Sequence, residues 1–278
     1  MTLSVNTNQP ALIALQNLNK TNDDMQGVQS RINTGLAISG ARDNAAVWSI
    51  AQEQRADMNA LSAVKMSLDR ATSVADVALA AGESVSDLLN LMREKVVAAK
   101  DTSLTTSSRV ALNADFQGLI KNLTQVLNSA SFDGANLLNG SLTTNVSFLA
   151  DADAGASITL NLQNLSLGGT INTLTATDDI LTPANAAAVF TRLDATMGAV
   201  NQAVGNIGTQ AKQIEAHNSF VSRLTDVLET GVGNLVDADL AKESARLQAL
   251  QVKQQLGAQA LSIANNAPQI ILSLFKGG

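Results

Sequence analysis

Apolar and small residues recur at heptad intervals over most of the chain. One series runs Leu61, Leu68, Ala75, Gly82, Leu89 and Val96, with a companion series Val64, Ala71, Ala78, Val85, Met92 and Ala99. Residues three and four apart share one face of a helix, so the two series make a continuous seam. The spacing predicts a single helix over about 44–100, roughly 85 Å long at ~1.5 Å per residue. Gly82 lies inside it and costs about 1 kcal/mol of helix propensity relative to Ala. Two readings of Gly82 stay open: a tolerated defect, or a point where another helix passes close.

A second seam fills the C-terminal half. It reads Leu193, Val200, Ile207, Ile214, Val221, Leu228 and Leu235, with mixed companions Met197, Val204, Ala211, Asn218, Thr225 and Val232. The mixture predicts one face buried against partner helices, with Asn218 as a polar register position. Pro183 suits the first turn of this helix, where a missing N–H is harmless. Gly231 and Gly233 predict a weakened or broken stretch before a last helix.

A shorter helix is expected over 107–128, burying Leu112, Phe116, Leu119, Leu123 and Val126. Turns follow at 131–136 and at Asn139-Gly140. From 145 to 175 the apolar residues Val146, Phe148, Ile158, Leu160, Leu162, Leu165 and Leu167 recur mostly at spacing two, which predicts short antiparallel strands. A polar link, 175–183, leads back to helix. The fold class expected is therefore mainly α: long heptad-patterned helices in a coiled-coil or helical-bundle rod, with a small β-hairpin region mid-chain.

The two ends share a pattern. Near the N-terminus Ala11, Leu18, Met25 and Ile32 repeat every seven residues, and near the C-terminus Ala249, Leu256, Ile263 and Ile270 do the same. Asp237 and Asp239 suit a helix's first turn, and residues 254–273 carry no charge. Uncharged apolar faces on terminal helices point to an interaction surface that orders when it meets copies of itself.

Composition narrows the chemistry. The 278 residues hold Lys+Arg 18 and Asp+Glu 24, a net charge of -6, and hydrophobic residues make up 45% against only 3% aromatic. This aliphatic content suits closely packed helices and lacks the aromatic anchors of ligand pockets. Cysteine is absent and histidine occurs once. That removes disulfides, thiolate nucleophiles, Cys zinc sites and multi-His centres. No nucleic-acid partner, membrane insertion or cofactor is expected, and neither is a cleaved secretory signal. His217 lacks a nucleophile system and reads as a helix-surface or interhelical residue. Asp153, Asp178 and Asp179 lack calcium-loop spacing and read as solvated loop carboxylates. Gly168-Gly169 has no strand–loop–helix context for a phosphate site. Trp48 reads as a packing residue, and no enzyme is expected.

Four segments resemble bacterial flagellin, in the family's order. They are Leu3-Ser4-Val5-Asn6-Thr7-Asn8 with Asn17-Leu18-Asn19-Lys20; Ile32-Asn33-Thr34-Gly35-Leu36-Ala37-Ile38 with Ala41-Arg42-Asp43-Asn44-Ala45-Ala46; Ser131-Phe132-Asp133-Gly134 with Leu137-Leu138-Asn139-Gly140; and Asp237-Ala238-Asp239 through Ala264-Asn265, Pro268-Gln269 and Leu272-Ser273-Leu274. Val47-Trp48 stands where the family commonly has Gly-Leu, and Asn44 where it has a second Asp. The resemblance implies a minimal flagellin without large variable outer domains. It implies an inner coiled coil of 1–40 and 235–278. It also implies an outer rod of 41–142 and 184–234, with the short strand-rich segment 143–183. Leu18, Met25, Ile32, Leu256, Ile263 and Ile270 would serve assembly, and Arg42, Asp43, Asn44 and Trp48 would form the domain joint. Implied partners are many copies of the chain in an extracellular filament, with the flagellar export apparatus, an export chaperone, the filament cap and hook-junction proteins. A hook–filament junction protein of the same fold is the alternative.

Overall fold

The computed structural model describes residues 8–276, with side chains to residue 266. Five helices and one antiparallel strand pair make up these residues: α1 (Gln9–Thr34), α2 (Ala45–Ala99), α3 (Thr106–Ser129), β1 (Val146–Leu149), β2 (Ser157–Leu160), α4 (Pro183–Val236) and α5 (Leu240–Lys276). They form two compact units, divided inside α2 and α4: Asp57–Asp226, and the described residues of Met1–Ala56 with Val227–Gly278.

In the unit Asp57–Asp226, every position of both α2 series is buried. The partner is α4, which runs antiparallel. Asn218 donates to Asp69 at 2.7 Å, Ser86 to Asn201 at 2.9 Å, and Arg93 pairs with Asp194 at 3.2 Å. The α4 partner number falls in step as the α2 number rises, so the two helices share one register. A Cβ at Gly82 would lie 2.7 Å from Val204 Cγ2. Close approach, not a tolerated defect, is therefore the reading that holds.

The first expected α4 series is buried from Leu193 to Val221, with Leu228 half-buried and Leu235 exposed, and its companions are only partly the expected ones. The buried run is Leu193, Thr196, Val200, Ala203, Ile207, Ala211 and Ile214, while Met197 and Val204 are only half-buried. Steps of three and four alternate until Ile207, where a second step of four intervenes. A straight helix drifts ~20° per heptad against a 3.5-residue period, and such a step restores the face. In α3 the expected Phe116 and Leu123 are buried, but their buried companions are Ile120 and Leu127, and Leu112, Leu119 and Val126 are half-buried. Both sides of that stripe are apolar, so neighbouring elements decide which side is covered.

Loops are held by side chains that composition could not place. Buried Arg109 donates to the carbonyls of Ala99 and, at 3.0 Å, Asp101, capping the negative end of α2. Asp178 is buried rather than solvated: Arg192 pairs with it at 2.7 Å and the Thr175 N–H donates at 2.9 Å. The hairpin fastens onto the helix pair through Leu149 N–H to Ser67 Oγ at 3.0 Å and Asn161 N–H to Gln210 Oε1 at 3.0 Å. His217 Nε2 lies 2.7 Å from the Ala150 carbonyl, which makes the single histidine a clasp on the hairpin. Strand structure stops at Leu160. Leu165 is buried in irregular chain, its N–H donating to the Leu138 carbonyl at 2.8 Å.

In the other unit, α1 and α5 pair antiparallel. Asn8 Nδ2 donates to the Ala264 carbonyl at 2.7 Å, Gln254 to Asn22 at 2.7 Å, and Arg31 lies 3.3 Å from Glu243. Asn8 also caps α1, and Gly35 ends it in the left-handed region at φ 74, where a side chain would be strained. Gly231 and Gly233 do not break the chain as expected. They lie within α4, whose Val232 and Val236 are buried. Burial there outweighs the propensity cost of about 1 kcal/mol per glycine.

Candidate assembly surface

Few side chains of the α1–α5 pair are fully covered. Within these two helices only Ala11, Val28 and Leu250 are buried among the described residues. The face of α5 turned to α1 carries Glu243, Leu247, Leu250, Gln254, Gly257, Leu261 and Ala264. This is a different heptad frame from the one expected. The expected residues Leu256 and Ile263 are 58% and 72% exposed, together with Leu240 and Val252. On α1, Leu12, Ile13 and Leu15 are exposed as well. An apolar groove between the helices is lined by Pro10, Ile13, Ala14, Leu256, Gly257 and Ala260.

The six expected assembly residues are thus split. Leu18, Met25 and Ile32 are half-buried on the inner face of the pair; a Cβ at Gly257 would lie 3.4 Å from Leu18 Cδ1. Leu256 and Ile263 face outward, and the Ile270 side chain lies outside the described residues. Covering one such Leu or Ile side chain contributes about 1.5–3 kcal/mol. Sequence reasoning missed Leu247, Leu250 and Gly257 because it followed the more strongly apolar stripe of α5. A polar-containing frame with a glycine opposite Leu18 was the available signal.

The loop joining α1 to α2 is tied by backbone to the loop joining α4 to α5. The Ala37 N–H donates to the Val236 carbonyl at 2.7 Å, and the Ala238 N–H to the Gly35 carbonyl at 2.8 Å. Asp239 caps α5, accepting from the Lys242 N–H at 3.0 Å. Asn44 caps α2, accepting from the Val47 N–H at 3.2 Å. Asp43 closes the loop instead: its Oδ2 accepts from Ser39 N–H at 2.9 Å, Ser39 Oγ at 3.0 Å and Gly40 N–H at 3.2 Å. Those donors, the Ser39 hydroxyl foremost, hold its carboxyl below the ordinary value, with Arg31 adding a favourable charge. Arg42 is exposed and makes no ion pair among the described residues. Trp48 is half-buried in the first turn of α2. Asp43, Asn44, Arg42 and Trp48 therefore share one short segment but not one hydrogen-bond network.

Similarity to known proteins decides what this architecture belongs to. The sequence profile of the bacterial flagellin N-terminal helical region matches residues 5–143, and that of the C-terminal helical region matches residues 190–275. The chain belongs to the bacterial flagellins. The Caulobacter vibrioides flagellin FljJ is 77% identical over 100% of both chains, and a Brucella melitensis flagellin is 38% identical over 99% of each. The fold is shared with a solved putative flagellar hook-associated protein from Vibrio parahaemolyticus, at a TM-score of 0.59 and 14% identity, covering 70% of this chain and 100% of that one. High identity over full length to flagellins favours a filament subunit over a hook–filament junction protein. This flagellin is a structural, non-enzymatic component of the extracellular flagellar filament. No helix among the described residues is long and apolar enough to cross a membrane.

Proposed function

We propose that this flagellin polymerises through the outward stripe of its terminal helices. The observation that carries the reading is the exposure of Leu256 and Ile263 on a stretch of α5 free of charge. Neighbouring copies cover these side chains, together with Leu12 and Ile13. Leu18, Met25 and Ile32 act indirectly, by setting the α1–α5 pairing that presents the stripe. A filament needs heterologous, non-closing contacts, and unlike apolar faces on α1 and α5 are suited to that geometry. In this reading 1–40 and 235–278 form the inner coiled coil. Residues 41–142 and 184–234 with the segment 143–183 form the outer rod, and Arg42, Asp43, Asn44 and Trp48 lie at the joint. Arg42, without an ion-pair partner among the described residues, meets a neighbouring copy.

The subunit reaches its place through the flagellar export apparatus with an export chaperone, and is added beneath the filament cap beyond the hook-junction proteins. The absence of cysteine from the sequence is compatible with passage as an unfolded chain. Ile263→Asp tests the assembly surface, because it places an unpaired carboxylate where burial would strip its water. Sedimentation and electron microscopy should find folded subunits and no filaments. Normal filament yield from that variant would refute the assignment.

A further inference from the structure

Asn139-Gly140 is the one Asn-Gly pair in the sequence, and it lies in a turn next to fully buried Leu138. The Ser141 N–H donates to Asn139 Oδ1 at 3.0 Å, and the Asn139 N–H donates to Asn136 Oδ1 at 3.0 Å. Gly140 and Ser141 are exposed, and among the described residues the Gly140 N–H has no protein acceptor. Three features needed for attack on an amide carbonyl thus coincide. The Asn139 carbonyl is polarised by a backbone donor placed where oxyanion charge develops. The adjacent backbone nitrogen is free. The residue that carries it has no Cβ to obstruct the approach.

We propose that Asn139 is a modification site: in the folded chain it deamidates through a cyclic imide to aspartate and isoaspartate. The Gly140 nitrogen attacks Asn139 Cγ and forms the N–Cγ bond, giving up its proton to solvent base. The Cγ–Nδ2 bond breaks, and Nδ2 leaves as ammonia after taking a proton. Water then adds to either imide carbonyl and opens the ring. Opening on one side leaves an aspartate side chain; opening on the other routes the main chain through the side-chain carbon. No oxidant or reductant takes part. Either product replaces a neutral amide with a carboxylate. The isoaspartate adds a methylene to the main chain beside Leu138, whose carbonyl accepts from Leu165 N–H at 2.8 Å.

The chain contains its own control. Asn164 is exposed and its Oδ1 accepts from the Ser166 N–H at 3.0 Å, the same turn geometry, but Leu165 follows it. Asn136 and Asn172 have similar turns but are buried. Purified full-length subunits are held folded in mildly alkaline buffer. Conversion is followed by peptide mass mapping and by an isoaspartate-specific methylation assay. Asn139 should convert at least about tenfold faster than Asn164, the effect of a modest barrier difference. Its rate in folded subunits should stay within about tenfold of that in urea-unfolded chain. Asn139→Gln should remove most of the isoaspartate signal, leaving the share that the exposed Asp133-Gly134 turn supplies through the same imide, while the helical circular dichroism is kept. Gly140 is left intact, because its φ of 72 and the adjoining Asn164 side chain would confound a substitution there. Equal rates at Asn139 and Asn164 would overturn the proposal. So would complete protection of Asn139 in folded subunits, or an isoaspartate signal undiminished by Asn139→Gln.

Discussion

Gly82→Ala asks whether helix propensity or interhelix contact decides stability in the α2–α4 pair. Alanine in mid-helix is favoured over glycine by about 1 kcal/mol, so propensity alone predicts a gain. Its new Cβ would lie 2.7 Å from Val204 Cγ2, closer than carbon atoms can approach without movement. Val204 is β-branched and stiff at χ1 within a helix, so α4 must shift or the valine must leave its rotamer. Overpacking of this kind costs about 1–3 kcal/mol. The expected net change is a loss of about 1 kcal/mol. Val204→Ala removes the obstructing methyls and leaves Val204 Cβ 3.8 Å away, an ordinary contact. In that background Gly82→Ala should stabilise by about 1 kcal/mol, which gives a coupling near 2 kcal/mol in the double-mutant cycle. Urea unfolding of unassembled subunits, followed by circular dichroism, measures all four proteins. A Gly82→Ala gain of equal size in both backgrounds would refute the close-approach argument.

Asn44→Ala removes the α2 cap and should cost about 1 kcal/mol of subunit stability in the same urea assay. Asp43 has a folded-state value below its ordinary 3.8, so the folded loop favours the carboxylate. Its contribution is complete above that pH and is lost as acid carries the pH through the lower folded value. The melting difference between wild type and Asp43→Ala should therefore shrink in acid; a difference independent of pH would contradict the loop-closing role. Arg42→Ala should leave the subunit melt unchanged and raise the critical concentration for polymerisation, read by sedimentation of filaments. Deleting 1–35 and 245–278 should leave a helical fragment that still melts cooperatively and forms no filaments; filaments from it would remove the terminal helices from the assembly role.

The heptad series determined a great deal unaided. Both α2 series are buried as spaced, and α2 spans Ala45–Ala99 against an expected 44–100. That helix is legible because only one of its faces is continuously apolar or small, so its buried side has no competitor. The hairpin was legible for a similar reason, since Phe148 and Leu160 are the buried members of alternating strands. The flagellin segments at both ends were readable as residues in order.

Tertiary structure decided where a helix offered two faces or where its period had to be reset. The second step of four at Ala211 follows from the drift between helical and heptad periods, which depends on how long α4 stays against its partner. In α3 either side of the Phe116–Leu123 stripe was apolar enough to bury, and contacts chose Ile120 and Leu127. On α5 they chose the frame of Leu250 and Gly257 for α1 and left Leu256 and Ile263 outside. Gly82 shows the same division at one residue: sequence gave its propensity cost, but only the position of Val204 explains why no side chain fits there. A sequence states which residues can be buried together. Which of them are buried depends on the surfaces that the rest of the chain brings against them.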